Sequence, residues 1–80
     1  MKLLYSYETT AGTFYIGQSR DGRFHPIFDD ESLGSYAHEW QAAEDLAGGH
    51  TFSASGVSDT STLGIPYDLG EWERLNLARS

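Results

Sequence analysis

The sequence contains no cysteine, which excludes a disulfide scaffold and any thiolate metal site. It has two prolines and no run of 18 apolar residues. The opening Met1-Lys2-Leu3-Leu4 gives way at once to polar Tyr5–Glu8, so neither a secretion signal nor a membrane span is predicted. Bases are scarce: five Lys and Arg stand against twelve Asp and Glu, a net charge of −7. Such a surface repels phosphate backbones and anionic membranes and attracts basic partners. Solubility is the plainer use of the same charge. Catalytic and ligand motifs are missing too. There is no Gly-x-Ser-x-Gly elbow, no phosphate-cradling glycine pattern, and no His-x-x-x-His or Glu-x-x-His pair among His25, His38 and His50. These absences predict a cytoplasmic, non-enzymatic protein without cofactor or metal.

What the chain does have is aromatic mass: two Trp, five Tyr and four Phe in 80 residues. That length predicts one domain, 1–80, with little core to spare, and bulky rings supply large buried areas per residue. The pattern predicts an α+β fold, a three- to four-stranded antiparallel meander with one main helix on a face and a short C-terminal helical turn. Residues 1–8 form a first strand with Leu3, Tyr5 and Tyr7 on one face, and Thr9–Gly12 a turn. Thr13–Gln18 is β-branched and aromatic and reads as the second strand. Asp21-Gly22 marks a hairpin turn, because glycine supplies the positive φ. Arg23–Phe28 returns, at an edge or with a bulge, since Pro26 has no amide proton. Asp29–Ser32 is an acidic turn and Leu33–Tyr36 a short further strand.

On a 3.6-residue repeat Tyr36, Trp40, Ala43 and Ala47 then share a face, with Leu46 beside them. This helix is expected to start at Ser35 as N-cap and to end at Gly48-Gly49. Phe24, Trp40, Ala43, Leu46 and Phe52 are the expected core, with Trp72 on a later stripe. His50–Phe52 returns toward the sheet, and residues 53–62 form a polar loop in which Asp59 or Ser61 caps a turn. Pro66 suits the first position of a last short helix, along which Leu69, Trp72 and Leu75 make one stripe. From Glu73 onward a terminal strand is the alternative.

The carboxylates are the candidate binding residues: Asp29, Asp30 and Glu31 at a strand end, Glu39, Glu44 and Asp45 around the helix, and Asp68, Glu71 and Glu73 near the C-terminus. If the helix crosses the sheet, the first two groups share a rim. Acids spaced along a rim imitate phosphates and compete for channels lined with Lys and Arg.

Four stretches carry a resemblance: Gly22-Arg23-Phe24-His25, Leu33-Gly34-Ser35-Tyr36, residues 42–52 (AAEDLAGGHTF) and residues 63–73 (LGIPYDLGEWE). Together they resemble a family of small, functionally uncharacterised bacterial proteins, over roughly residues 13–73. The resemblance implies kinship and no activity. The sheet-then-helix order is also similar to the DNA-binding domains of phage integrases and AP2 factors. Those domains read DNA with basic sheet residues, whereas Arg20 and Arg23 are the only bases around the central hairpin expected here. By size and acidity the chain looks like phage-type DNA mimics, anti-CRISPR inhibitors of interference complexes included. That similarity implies a basic, nucleic-acid-binding protein surface as partner, a Cas subunit for instance, with no direct contact to nucleic acid or membrane. The alternative is a host-encoded interaction domain that uses an apolar patch of Tyr67, Trp72 and Leu75.

Overall fold

The buried side chains of Phe14, Ile16 and Phe28 mark the centre of a sheet. In a computed structural model, which describes residues 1–51 and 60–75, β1 (Lys2–Thr9), β2 (Gly12–Gln18) and β3 (Phe24–Phe28) form an antiparallel meander. Two-residue strands flank it, β4 (Glu31–Ser32) beside β3 and β5 (Glu73–Arg74) beside β1. The order across the sheet is β4-β3-β2-β1-β5. One helix, α1 (Glu39–Gly48), and two single 3-10 turns, Thr60–Thr62 and Leu69–Glu71, complete the described elements. The fold is therefore α+β, an open five-stranded antiparallel sheet with one helix on a face.

Side-chain alternation divides the sheet into two faces. Phe14, Ile16, Pro26 and Phe28 point toward α1, where Ala42, Ala43 and Leu46 are fully buried against them. The two alanines bring the helix backbone close to the sheet. Phe14 and Phe28 stack with ring centres 4.4 Å apart. Leu33, Ile65 and Trp72 close the core. On the opposite face, Leu3, Tyr15 and Ile27 lie with Met1 around a shallow groove.

Several elements depart from expectation, each for a local reason. A bulge shifts the β1 register between Leu3 and Tyr5. Leu3 therefore pairs with Gly17 on the open face, while Tyr5 and Tyr7 oppose Ile16 and Phe14 beneath the helix. The acidic turn is tighter than its four residues suggest. Asp29 and Asp30 alone make it, at φ 54° and 65°, so pairing resumes at Glu31 and the expected strand Leu33–Tyr36 reduces to one bridge between Phe24 and Tyr36. Both central residues of such a two-residue hairpin must be left-handed, and aspartate tolerates this better than most side chains.

Ser35 does not cap the helix. Its hydroxyl and carbonyl oxygens accept from the Arg23 guanidinium at 2.5 and 3.0 Å, and the helix opens only after His38, whose side chain makes no cap bond. Tyr36 therefore lies outside the helix and sets no stripe along it. Ala42, Ala43 and Leu46 face inward, and Trp40, expected in the core, is 51% exposed. The C-terminus behaves as expected. Gly49 sits at φ 78°, its N–H bonding Leu46 O and that of His50 bonding Asp45 O, the paired bonds of a Schellman cap.

Pro66 opens no helix. Asp68 does this for the turn Leu69–Glu71, accepting from Gly70 N at 2.9 Å. Trp72 then enters the core, and Glu73–Arg74 adds the terminal strand, the alternative reading, followed by Leu75 N donating to Leu4 O. The expected returns and caps at Phe52 and Asp59, and the segment end at Leu77, lie outside the described residues.

Pro26 explains why this sheet accommodates proline. Backbone groups of Phe24, Pro26 and Phe28 point away from β2. Phe24 exchanges two 2.8 Å bonds with Tyr36, the Pro26 carbonyl accepts from Leu33 N at 2.8 Å, and Phe28 pairs with Glu31. Every outward group is used, and proline lacks the one donor that β4 is too short to receive.

Candidate functional site

The antiparallel connections place the carboxylates unevenly. The turn ending β1 and the turn ending β3 lie at the same end of the sheet, because Thr9 pairs with Gly12 and Phe14 with Phe28. That end carries Glu8 on β1, Asp29 and Asp30 in the turn, and Glu31 on β4. Antiparallel pairing of β5 with β1, Glu73 opposite Ser6, brings Glu71 and Glu73 toward Glu8. Ser6, Tyr7, Glu8, Glu71 and Glu73 line one shallow hollow there, and Asp29 and Asp30 line another with Ala11, Gly12, Thr13, Tyr15 and Phe28. All six carboxylates are exposed. Adjacent strands stand about 4.8 Å apart, so the acids recur across the sheet end at roughly 5–10 Å.

Three of the bases lie at the other end, with Asp21 among them, while Arg74 stands on β5 opposite Tyr5. Lys2 opposes Gln18, Arg20 lies in the β2–β3 turn, and Arg23 precedes Phe24. The sheet is thus electrically polarised along its strands.

The remaining candidate acids are placed differently. Glu39 and Asp45 are half-buried on α1. Tyr5 donates its phenol to Glu39 Oε2 at 3.3 Å, and burial first, then the Glu39 carboxylate, raises the Tyr5 pKa. Burial, reinforced by the neighbouring Asp45, pushes Tyr36 up to about 12. Asp68 is occupied as a cap, and Glu44 is exposed on the outer side of α1. The structure therefore brings Asp29, Asp30 and Glu31 together with Glu71, Glu73 and the unanticipated Glu8, and sets Glu39, Glu44 and Asp45 on the helix. Glu8 was readable only through the register that pairs it with Thr13 beside the turn.

The raised phenols have a testable consequence. A phenol that ionises at higher pH in the folded chain favours its neutral form there. Stability from Tyr36 is thus complete below the unfolded value of 10 and is lost as pH rises toward about 12. Denaturation followed against pH should show this alkaline loss, and Tyr36→Phe should reduce it.

A histidine network at the basic end resembles a catalytic dyad. His25 Nε2 lies 3.0 Å from Ser19 Oγ, and its Nδ1 lies 2.8 Å from the Gly34 carbonyl and 3.1 Å from Ser32 Oγ. The carbonyl can only accept, so Nδ1 carries a proton. Ser19 also meets the Asp21 carboxylate, a stronger acceptor for its hydroxyl proton, and that bond holds the Asp21 pKa below its usual value. Nearby amides take part in the turn as well: Ser19 N bonds Arg23 O, Gly22 N bonds Ser19 O and Arg23 N bonds Asp21 Oδ1. With Arg23, this network clasps residues 32–35 to the β2–β3 turn.

Among the described residues no group of three or more His, Asp or Glu is arranged to hold a metal ion, and no helix is long and apolar enough to cross a membrane. The apolar patch loses its main anchor, because Trp72 is only 5% exposed and its indole N–H bonds Pro66 O at 2.8 Å. Compared with family models, with curated proteins and with solved structures, the chain matches none.

The Asp29-Asp30 turn also links the site to stability. Left-handed backbone costs a residue with a Cβ about 1 kcal/mol or more, and glycine escapes most of that. Asp30→Gly should therefore raise stability by about 1 kcal/mol, or about 4–8 °C in melting temperature, in a thermal scan. The acids occupy a position where glycine is the easier residue.

Proposed function

We propose that this protein is a non-enzymatic, cytoplasmic binding protein that docks its acidic sheet end on a basic, nucleic-acid-binding surface of another protein. It would act there as a DNA mimic, in the manner of an anti-CRISPR inhibitor of an interference complex. The observation that carries this reading is the gathering of Glu8, Asp29, Asp30, Glu31, Glu71 and Glu73 at one end, relieved there only by Arg74 beside Glu73, with Lys2, Arg20 and Arg23 around the single acid Asp21 at the other. A polarised distribution orients a charged partner, whereas charge that served solubility alone has no reason to segregate. The left-handed Asp29-Asp30 pair supports the same reading, since strained backbone tends to persist where function requires it.

The test is displacement of labelled duplex DNA from purified basic DNA-binding proteins, Cas subunits among them, at low and high salt. Displacement that weakens steeply with salt and is lost when Asp29, Asp30 and Glu31 are changed together to lysine supports the proposal. Salt-insensitive binding that survives the triple change overturns it.

A further inference from the structure

Trp40 is a large apolar side chain that the core does not use. Ala42, Ala43 and Leu46 fill the inner face of α1 completely, and half of Trp40 is left to solvent. The ring is nevertheless held: it lies nearly parallel to the His38 imidazole, at 10° and with centres 5.6 Å apart. One turn later, at i+4, stands exposed Glu44, whose side chain shares the outer face of the helix with Trp40. Glu44 has no hydrogen-bond or ion-pair partner among the described residues, in contrast to Glu39, which accepts from Tyr5. A held indole beside an unengaged carboxylate is the arrangement that a planar cation fills from both directions. A guanidinium stacks on the ring and directs its N–H groups at the carboxylate. An ammonium offers a point charge, is more strongly hydrated, and gains less from the ring.

We propose that Trp40 and Glu44 form an arginine-reading clamp on the outer face of α1, which selects arginine over lysine side chains on a basic protein partner. This rests on the reading that the partner is basic, and adds to it a preference that net charge alone cannot supply. The charge complementarity is direct: the clamp is anionic on a chain of net charge −7, and the ligand is cationic.

The experiment titrates the whole protein with nona-arginine and with nona-lysine while following the two indole N–H resonances. The clamp predicts that the Trp40 signal moves with nona-arginine, that the buried Trp72 signal stays, and that nona-arginine binds several-fold tighter than nona-lysine. Trp40→Ala should weaken nona-arginine roughly fivefold and leave nona-lysine unchanged. Glu44→Gln should narrow the preference in the same direction. Trp40 is exposed, so neither substitution threatens the fold, and the retained Trp72 signal verifies this. A Trp40 resonance that stays still at saturation, or equal affinities unaffected by Trp40→Ala, overturns the clamp. If both peptides then still bind and the triple lysine variant abolishes that binding, the acidic docking reading stands without the clamp. If neither peptide binds the native protein at low salt, both fall together.

Discussion

Replacing Trp72 by alanine is expected to cost about 3–5 kcal/mol, the range for removing a large aromatic from a packed core. A chain of 80 residues has roughly 4–12 kcal/mol of stability in total. The substitution therefore brings the protein near the point of unfolding. Three losses combine. The indole is 95% enclosed by the core, its ring lies against Tyr7 with centres 5.7 Å apart, and its N–H satisfies the Pro66 carbonyl. Without it β5 loses its attachment as well, since Trp72 immediately precedes Glu73. Denaturant titration followed by circular dichroism measures the effect. A midpoint shift worth under 1 kcal/mol would show that the segment from Pro66 to Arg74 packs independently of this ring.

The second large effect concerns binding. Changing Asp29, Asp30 and Glu31 together to lysine alters two units of charge at each position and takes the net charge from −7 to −1. Close charge pairs across an interface couple by about 1.5 kcal/mol or more, so loss and reversal at three positions should lower affinity for a basic partner at least about 100-fold. The salt dependence should flatten with it, because exposed charges act over a distance that salt shortens. Left-handed lysine at positions 29 and 30 strains the turn further. The matched control is Asp29→Asn with Asp30→Gly, which removes charge while easing the backbone. Reduced affinity in that more stable variant separates electrostatics from misfolding.

Much of this architecture was legible because two periods were clear. Thr13–Gln18 and Phe24–Phe28 alternate around an Asp-Gly turn, and Gly48-Gly49 ends the helix where a left-handed residue is needed. What remained hidden depended on contacts between distant residues. The β1 bulge moves Leu3 to the other face, and nothing local to Lys2–Tyr7 marks it. Trp40 fits an apolar stripe drawn from Tyr36, but the helix begins at Glu39 and buries Ala42, Ala43 and Leu46 in its place. Of the site, the Asp29–Glu31 cluster was visible as a run. The gathering of Glu8, Glu71 and Glu73 follows only from the pairing of β5 with β1, which spans nearly the whole chain. Glu39 and Asp45 read as surface acids in sequence, and only the fold reveals the phenols beside them.

The spent backbone along β3 determines from which side another chain could extend the sheet. With Phe24, Pro26 and Phe28 all engaged or lacking a donor, the two residues of β4 are the outermost template for β-augmentation on that flank among the described residues. The opposite flank differs. There β5 pairs with Tyr5 and Ser6, Leu75 reaches Leu4, and the turn before β5 lies beside Tyr7 and Glu8, with Trp72 against the Tyr7 ring. A chain approaching that flank would meet the exposed Glu8, Glu71 and Glu73, whose charge repels an acidic segment. A second copy would bring its own acids to the same edge, so pairing there would set like charges side by side.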